Sequence, residues 1–130
     1  MSIPDKYKDI LEKPVLAHLC TLLPDGSPQS TPVWFHYRDG LIEVNSAKDR
    51  RKDKNMRARP QVALSMLDPE NSYRYLEVRG EVIDISEEGA DAHIDMLAKK
   101  YLGLDSYPYR SPSETRVIYK IKPTASSAMG

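Results

Sequence analysis

Seven basic side chains, Lys48, Arg50, Arg51, Lys52, Lys54, Arg57 and Arg59, fall between Ala47 and Pro60 against only two acids, Asp49 and Asp53. The chain as a whole is neutral, so this local excess of five positive charges stands out. A charge run by itself reads as a solvated helix face. Its position points elsewhere, because it follows directly on the strand-like segment 41–46 and has the composition of a short helix. A strand that empties into a basic helix start can hold a phosphate. First-turn N–H groups have no intrahelical partners, the helix dipole adds partial positive charge, and Arg and Lys add full charge. Arg suits two-pronged contact with phosphate oxygens, whereas Lys acts as a point charge.

The other chemistry-bearing residues are less suggestive. His18, His36 and His93 have no metal-ligand spacing and read as structural, so no metal is expected. Ser30 and Ser46 lack a Gly-x-Ser-x-Gly setting, which leaves hydrolase chemistry without support. Cys20 lies on an apolar strand and reads as a small buried hydrophobe. Met56, Met66 and Met96 read as core filler. No catalytic acid, base or nucleophile is assigned.

Composition bounds the rest. With 40% apolar and 29% charged residues in 130, the chain reads as one ordinary globular domain. Neutral overall charge argues against a dedicated nucleic-acid or membrane-surface protein. A small barrel binding single strands through the basic helix, Trp34 and the tyrosines is the rival reading, and the same neutrality counts against it. A lone cysteine, no signal-peptide core and no apolar run near the ~20 residues of a membrane span make a cytoplasmic location the expectation.

Several elements position these residues. A short helix is expected over residues 4–13, then strands over 15–23, 29–37 and 41–45 joined by turns at Pro24-Asp25-Gly26-Ser27 and Arg38-Asp39-Gly40, forming a three-stranded meander. The basic helix follows and ends near Pro60. Strands return over 61–67 and 73–85, the second with Leu76, Val78, Gly80 and Val82 on one face and Gly80 marking a bulge or a close backbone approach. Ser86 is the expected N-cap of a helix striped by Ile94, Leu97, Ala98, Tyr101 and Leu102 and closed by Gly103. A Pro/Tyr-rich loop leads to a last strand over 116–121, and residues 123–130 read as a frayed polar tail. Six strands with short antiparallel connections make this mainly β (α+β), a small barrel with peripheral helices.

The most specific pieces are Leu22 with Pro24-Asp25-Gly26-Ser27-Pro28-Gln29 and Pro32-Val33-Trp34, then Arg50, Lys52 and Asn55, then Arg79-Gly80. In this order they resemble the split β-barrel flavin and deazaflavin proteins, the pyridoxamine-phosphate-oxidase-like superfamily, and within it the small coenzyme F420-dependent oxidoreductases. The similarity runs from about residue 10 to residue 121. It implies a six-stranded antiparallel Greek-key split barrel and a homodimer with a cofactor groove at each side of the subunit interface. Arg50, Lys52 and Asn55 would hold the cofactor phosphate, with Ser46 and Lys48 nearby. Thr31, Pro32, Val33 and Trp34 would lie along the tricyclic ring, their backbone bonding its pyrimidine edge. Tyr73 and Tyr75 would line the substrate side of the groove or pack the interface, of which packing is the plainer reading.

The implied activity is transfer of a hydride from reduced coenzyme F420 to a conjugated C=C or C=N bond in a small planar substrate such as a quinone, tetrapyrrole or xenobiotic. FMN is the alternative cofactor, and a non-catalytic flavin or deazaflavin carrier the alternative role. Coenzyme F420 carries an anionic tail beyond its phosphodiester, for which Arg51, Lys54, Arg57 and Arg59 are available. Pyridoxamine-phosphate oxidases proper have a longer chain, an Arg-x-Val-Leu-Leu-Lys third strand and a C-terminal Arg/His motif. None is present, so vitamin B6 oxidation is not expected.

Overall fold

A computed structural model describes residues 3–130. A 3-10 turn at Asp5–Tyr7 runs into α1 (Lys8–Glu12), followed by β1 (Ala17–Leu22), β2 (Pro28–Val33), β3 (Phe35–Arg38) and β4 (Leu41–Ala47). Then come α2 (Arg51–Ala58), β5 (Gln61–Leu67), β6 (Tyr75–Ser86), α3 (Ala90–Leu102) and β7 (Arg116–Met129). The strands form one sheet in the order β2-β1-β5-β6-β7-β4-β3. Every pairing is antiparallel.

That order dictates curvature. A flat seven-stranded sheet would hold its two edges roughly 29 Å apart, six spacings of about 4.8 Å. The edges here are β2 and β3, and only Trp34 separates Val33 from Phe35, a chain distance of about 7 Å. The sheet must therefore curl until its edges meet at Trp34, which makes a split half-barrel.

Two expectations are corrected. The strand read over residues 29–37 is two strands at opposite edges, so there are seven strands rather than six and no three-stranded meander. The alternation of this stretch is continuous, and only closure of the barrel breaks it at Trp34. Residues 123–130 are not a frayed tail either. Residues up to Met129 continue β7 alongside β6, with Ala125 opposite Arg79 and Met129 opposite Tyr75. Small residues such as Thr124, Ser126 and Ser127 carry little strand signal, but the long β6 gives their main chain a partner.

The barrel is filled by Leu19, Phe35, Ile42, Val44, Leu64, Met66, Leu76, Val78, Tyr119 and Ile121, and α1 adds Ile10 and Leu11. Gly80 sits where the sheet bends. A β-carbon there would lie 2.6 Å from the Lys122 carbonyl oxygen, so the close approach expected from sequence is real. Helix α3 covers the outer face of β4, which buries Glu43 and Asn45 on that side as well as Ile42 and Val44 on the other. Its N-cap is Gly89, at φ +78°, not Ser86. Ser86 is still in β6, and the left-handed turn at Gly89 redirects the chain. Gly103 closes the helix as expected.

Candidate functional site

Strand β4 ends at Ala47, and three residues turn the chain into α2. The Lys48 N–H donates to the Thr115 carbonyl at 2.8 Å, Asp49 takes a left-handed φ of +73°, and Arg50 is the extended N-cap. No side chain caps the first turn. The one acid there, Asp53, faces backwards into the barrel. Its carboxylate accepts from the Asp49 N–H at 2.9 Å, from Arg57 Nε at 3.0 Å and from Tyr119 Oη at 2.5 Å. The first N–H groups of α2 are thus left for an external acceptor.

Around this turn the cations converge. Arg50 Nη2 lies 2.6 Å from Glu114 Oε1, and Arg116 Nη1 lies 3.2 Å from Glu114 Oε2. Arg116 is buried, its guanidinium 5.2 Å from the Tyr107 ring centre. Lys52 is half-buried and makes no ion pair among the described residues. Burial first, then the nearby Arg50 and Arg116, push its ammonium below the usual lysine range. A desolvated cation beside two others is a site that an anion would relieve. A cavity of about 400 Å³, lined by Asp91, Arg110, Ser111, Pro112, Glu114 and Arg116, opens alongside. Arg110 itself is engaged by Asp91 at 3.1 Å and Asp95 at 2.6 Å.

The remaining expected residues are distributed unequally. Lys48 is exposed and pairs with Glu87 at 3.2 Å. Arg51 and Lys54 are exposed, with no ion pair among the described residues. Arg57 is held by Asp53, and Arg59 Nε donates to the Leu22 carbonyl at 2.8 Å. Ser46 is buried, its hydroxyl without a partner among the described residues. Asn55 is fully buried and donates to Thr21 Oγ1 at 3.0 Å and toward Gln29 Oε1 at 3.5 Å. It therefore pins α2 to β1 and β2, linking the cationic turn to the strand that carries Thr31.

On β2, Val33 is buried, Thr31 half-buried and Pro32 exposed. Among the described residues the outer edge of this strand pairs with no other strand, which leaves its main chain open to a ligand. Trp34 stacks on Tyr101 with ring centres 5.1 Å apart and an interplanar angle of 10°, and meets Tyr107 edge-on at 6.0 Å. One indole face is therefore already covered. Tyr101 Oη locks the corner by donating to the Val15 carbonyl at 2.6 Å and accepting the Phe35 N–H at 3.1 Å. Tyr73 is 77% exposed and lies in the turn before β6, whose Tyr75 is opposite Leu67 and Met129.

Sequence reasoning missed Arg116, Glu114 and Tyr107. An arginine opening an apolar strand is an unremarked feature, and only the register that sets Arg116 opposite Ala47 brings it to α2. Among the described residues no group of three or more His, Cys, Asp or Glu could hold a metal, and no helix is long and apolar enough to cross a membrane.

The pyridoxamine 5′-phosphate oxidase family pattern matches residues 3–130. Among solved structures, one named F420 reductase is 38% identical, with a TM-score of 0.86, over 96% of this chain and 98% of its own. A conserved hypothetical protein from Mycobacterium tuberculosis is 19% identical, with a TM-score of 0.78, over 99% of this chain and 85% of its own. General Stress Protein 26 from Bacillus anthracis is 20% identical, with a TM-score of 0.71, over 96% and 92%. The last two share the fold. No curated protein matches.

Proposed function

The chain belongs to the pyridoxamine 5′-phosphate oxidase family, and from that premise we propose that it is an oxidoreductase dependent on coenzyme F420, reducing a conjugated C=C or C=N bond in a planar acceptor such as a quinone, tetrapyrrole or xenobiotic. The observation that carries this reading is Lys52: half-buried, without a carboxylate partner among the described residues, at the uncapped start of α2. The similarity to the F420 reductase supports the same choice of cofactor.

When bound, the reduced deazaflavin supplies the hydride. The chain's own residues bind and orient. Lys52, Arg50 and the first N–H groups of α2 hold the phosphodiester. Asn55 keeps α2 in register with β2, whose open edge from Thr31 to Trp34 receives the ring. Arg51 and Lys54, exposed and unpaired among the described residues, suit the anionic tail that distinguishes coenzyme F420 from FMN. FMN, the alternative cofactor, would leave these two without an anion.

The working unit in this proposal is a homodimer. Leu67, Tyr75 and Met129 are cross-strand neighbours, and Leu16 precedes β1 beside Leu67. Leu16, Leu67 and Met129 are each about half exposed, an apolar row that a second copy would cover.

Fluorescence titration of the purified protein with coenzyme F420 and with FMN tests the reading. Expected are preferential binding of F420, loss of affinity in Lys52→Ala, and oxidation of the reduced cofactor by a quinone. Binding of neither cofactor, or a Lys52→Ala variant equal to wild type, overturns it. Tight binding without turnover by any acceptor marks a carrier instead.

A further inference from the structure

Asn45 lies under α3, and its amide orientation is fixed from two sides. Arg116 Nε, which can only donate, is 2.9 Å from Oδ1. The Ala90 carbonyl, which can only accept, is 2.9 Å from Nδ2. The second amide N–H therefore points at His93 Nδ1, 3.1 Å away, and that nitrogen must present a lone pair. The proton of the neutral ring then sits on Nε2, facing Glu43 Oε1 at 3.5 Å. Glu43 is anchored on its other oxygen by Arg38 at 3.1 Å. A polar chain thus runs from the exposed Arg38 through the buried Glu43, His93 and Asn45 to Arg116.

At its far end the Arg116 guanidinium is held on three sides. Nε is on Asn45, Nη1 is on Glu114, and the face lies over Tyr107. Nη2 makes no hydrogen bond among the described residues and is not enclosed by protein. The guanidinium shares Glu114 with Arg50, and its charge reaches Lys52. We propose that Arg116 is an anion-binding residue of the α2 site, and that Asn45 and His93 are the positioning residues that aim its Nη2 edge at a phosphate ester. This rests on the reading of the α2 turn as a cofactor-phosphate site.

The chain of hydrogen bonds gives that aim a pH dependence. A second proton on His93 would put an N–H on Nδ1, facing the Asn45 N–H, and two donors cannot share that position. The amide must turn, and its oxygen leaves Arg116 Nε. The charged and titratable groups facing His93 are Glu43 on β4, His36 and Arg38 on β3, Lys120 on β7, Asp84 on β6 and Glu88 before α3, with Arg116 on β7 beyond Asn45. Burial outweighs Glu43 among these influences and holds the ring neutral, its pKa pushed down to about 4. Anion binding through Arg116 therefore persists at neutral pH and fades on the acid side.

Titrating inorganic pyrophosphate into the 15N-labelled full chain while following the Arg116 Nε–H and His93 ring signals tests this directly. Expected are a shift of the Arg116 signal on pyrophosphate at pH 7.5, an unprotonated His93 Nδ1, and fading of the response as the pH falls through about 4. In fluorescence titrations, Asn45→Ala and Arg116→Lys should each weaken coenzyme F420 binding about tenfold, with thermal melts showing that both variants fold. A silent Arg116 signal at saturating pyrophosphate, a response unchanged at pH 3.5, or folded variants that bind F420 like wild type overturns the assignment. If wild type binds neither F420 nor FMN but pyrophosphate still moves the Arg116 signal, the cofactor reading fails and this assignment stands.

Discussion

Tyr119 Oη donates to Asp53 Oδ1 across 2.5 Å, with both side chains buried, and this bond ties the cationic helix to the interior of the barrel. Burial would raise the Asp53 carboxyl. The donors from Tyr119, the Asp49 N–H and Arg57 outweigh that and bring it below its ordinary value. Tyr119→Phe removes one of these donors from a buried carboxylate. The expected loss is roughly 1–3 kcal/mol of stability, read as a lower urea midpoint. Because Asp53 sits one residue from Lys52, affinity for the cofactor should fall with it. An unchanged midpoint would mean that Arg57 and the Asp49 N–H satisfy the carboxylate by themselves.

Lys52 gives a prediction at the alkaline end. Its pKa is lowered by burial and by Arg50 and Arg116, so the ammonium loses its proton below the usual lysine range. Anion affinity should be full at neutral pH and decline as pH rises toward 10. In Lys52→Arg the charge persists across that range, and the decline should disappear. Binding curves measured from pH 7 to 10 that are parallel for the two proteins would refute a role for the lysine charge.

The basic helix, the bend at Gly80 and the Gly103 stop were legible in the sequence because each is a local event. A charge run, a glycine in a strand and a glycine after a helical stripe carry their physical reason within a few residues. The corner at Trp34 was not legible. Residues 29–37 alternate without interruption, and only the meeting of two sheet edges divides them. Arg116 and Asn45 were hidden for a similar reason. They are some seventy residues apart, and the β4–β7 register alone makes them neighbours. The cationic half of the site could therefore be read along the chain, while the groups that brace it could not.

His93 makes stability depend on pH in a definite direction. In the unfolded chain its imidazole takes a proton near pH 6.5, whereas the folded ring resists until about pH 4. Between those values the unfolded state binds more protons, so stability falls as pH drops through that window. Wild type should therefore melt at a lower temperature at pH 5 than at pH 7. His93→Gln, lower at pH 7 from lost packing, should show a flatter profile. Asp9, held near 2 by Arg74, contributes only at lower pH. Equal slopes for the two proteins between pH 7 and 5 would remove His93 as the source.

Gly80 sets the curvature on which the site depends. In Gly80→Ala the added carbon would meet the Lys122 carbonyl oxygen at 2.6 Å and Ile121 Cγ2 at 2.9 Å. The nearer obstacle is backbone of the paired strand, so relief requires β6 and β7 to part where their register already shifts, at Arg79/Gly80. The core residues on either side, Val78, Val82 and Ile121, would lose packing together. A destabilisation of about 1–3 kcal/mol is expected, in the range of an overpacked core. The Arg116 end of β7 lies several residues away, so a variant that still folds should keep measurable affinity for the cofactor. Hydrogen exchange would locate the damage: amides of β6 and β7 around residues 79–82 and 121–125 should lose protection first, and a uniform loss across the barrel would contradict this account.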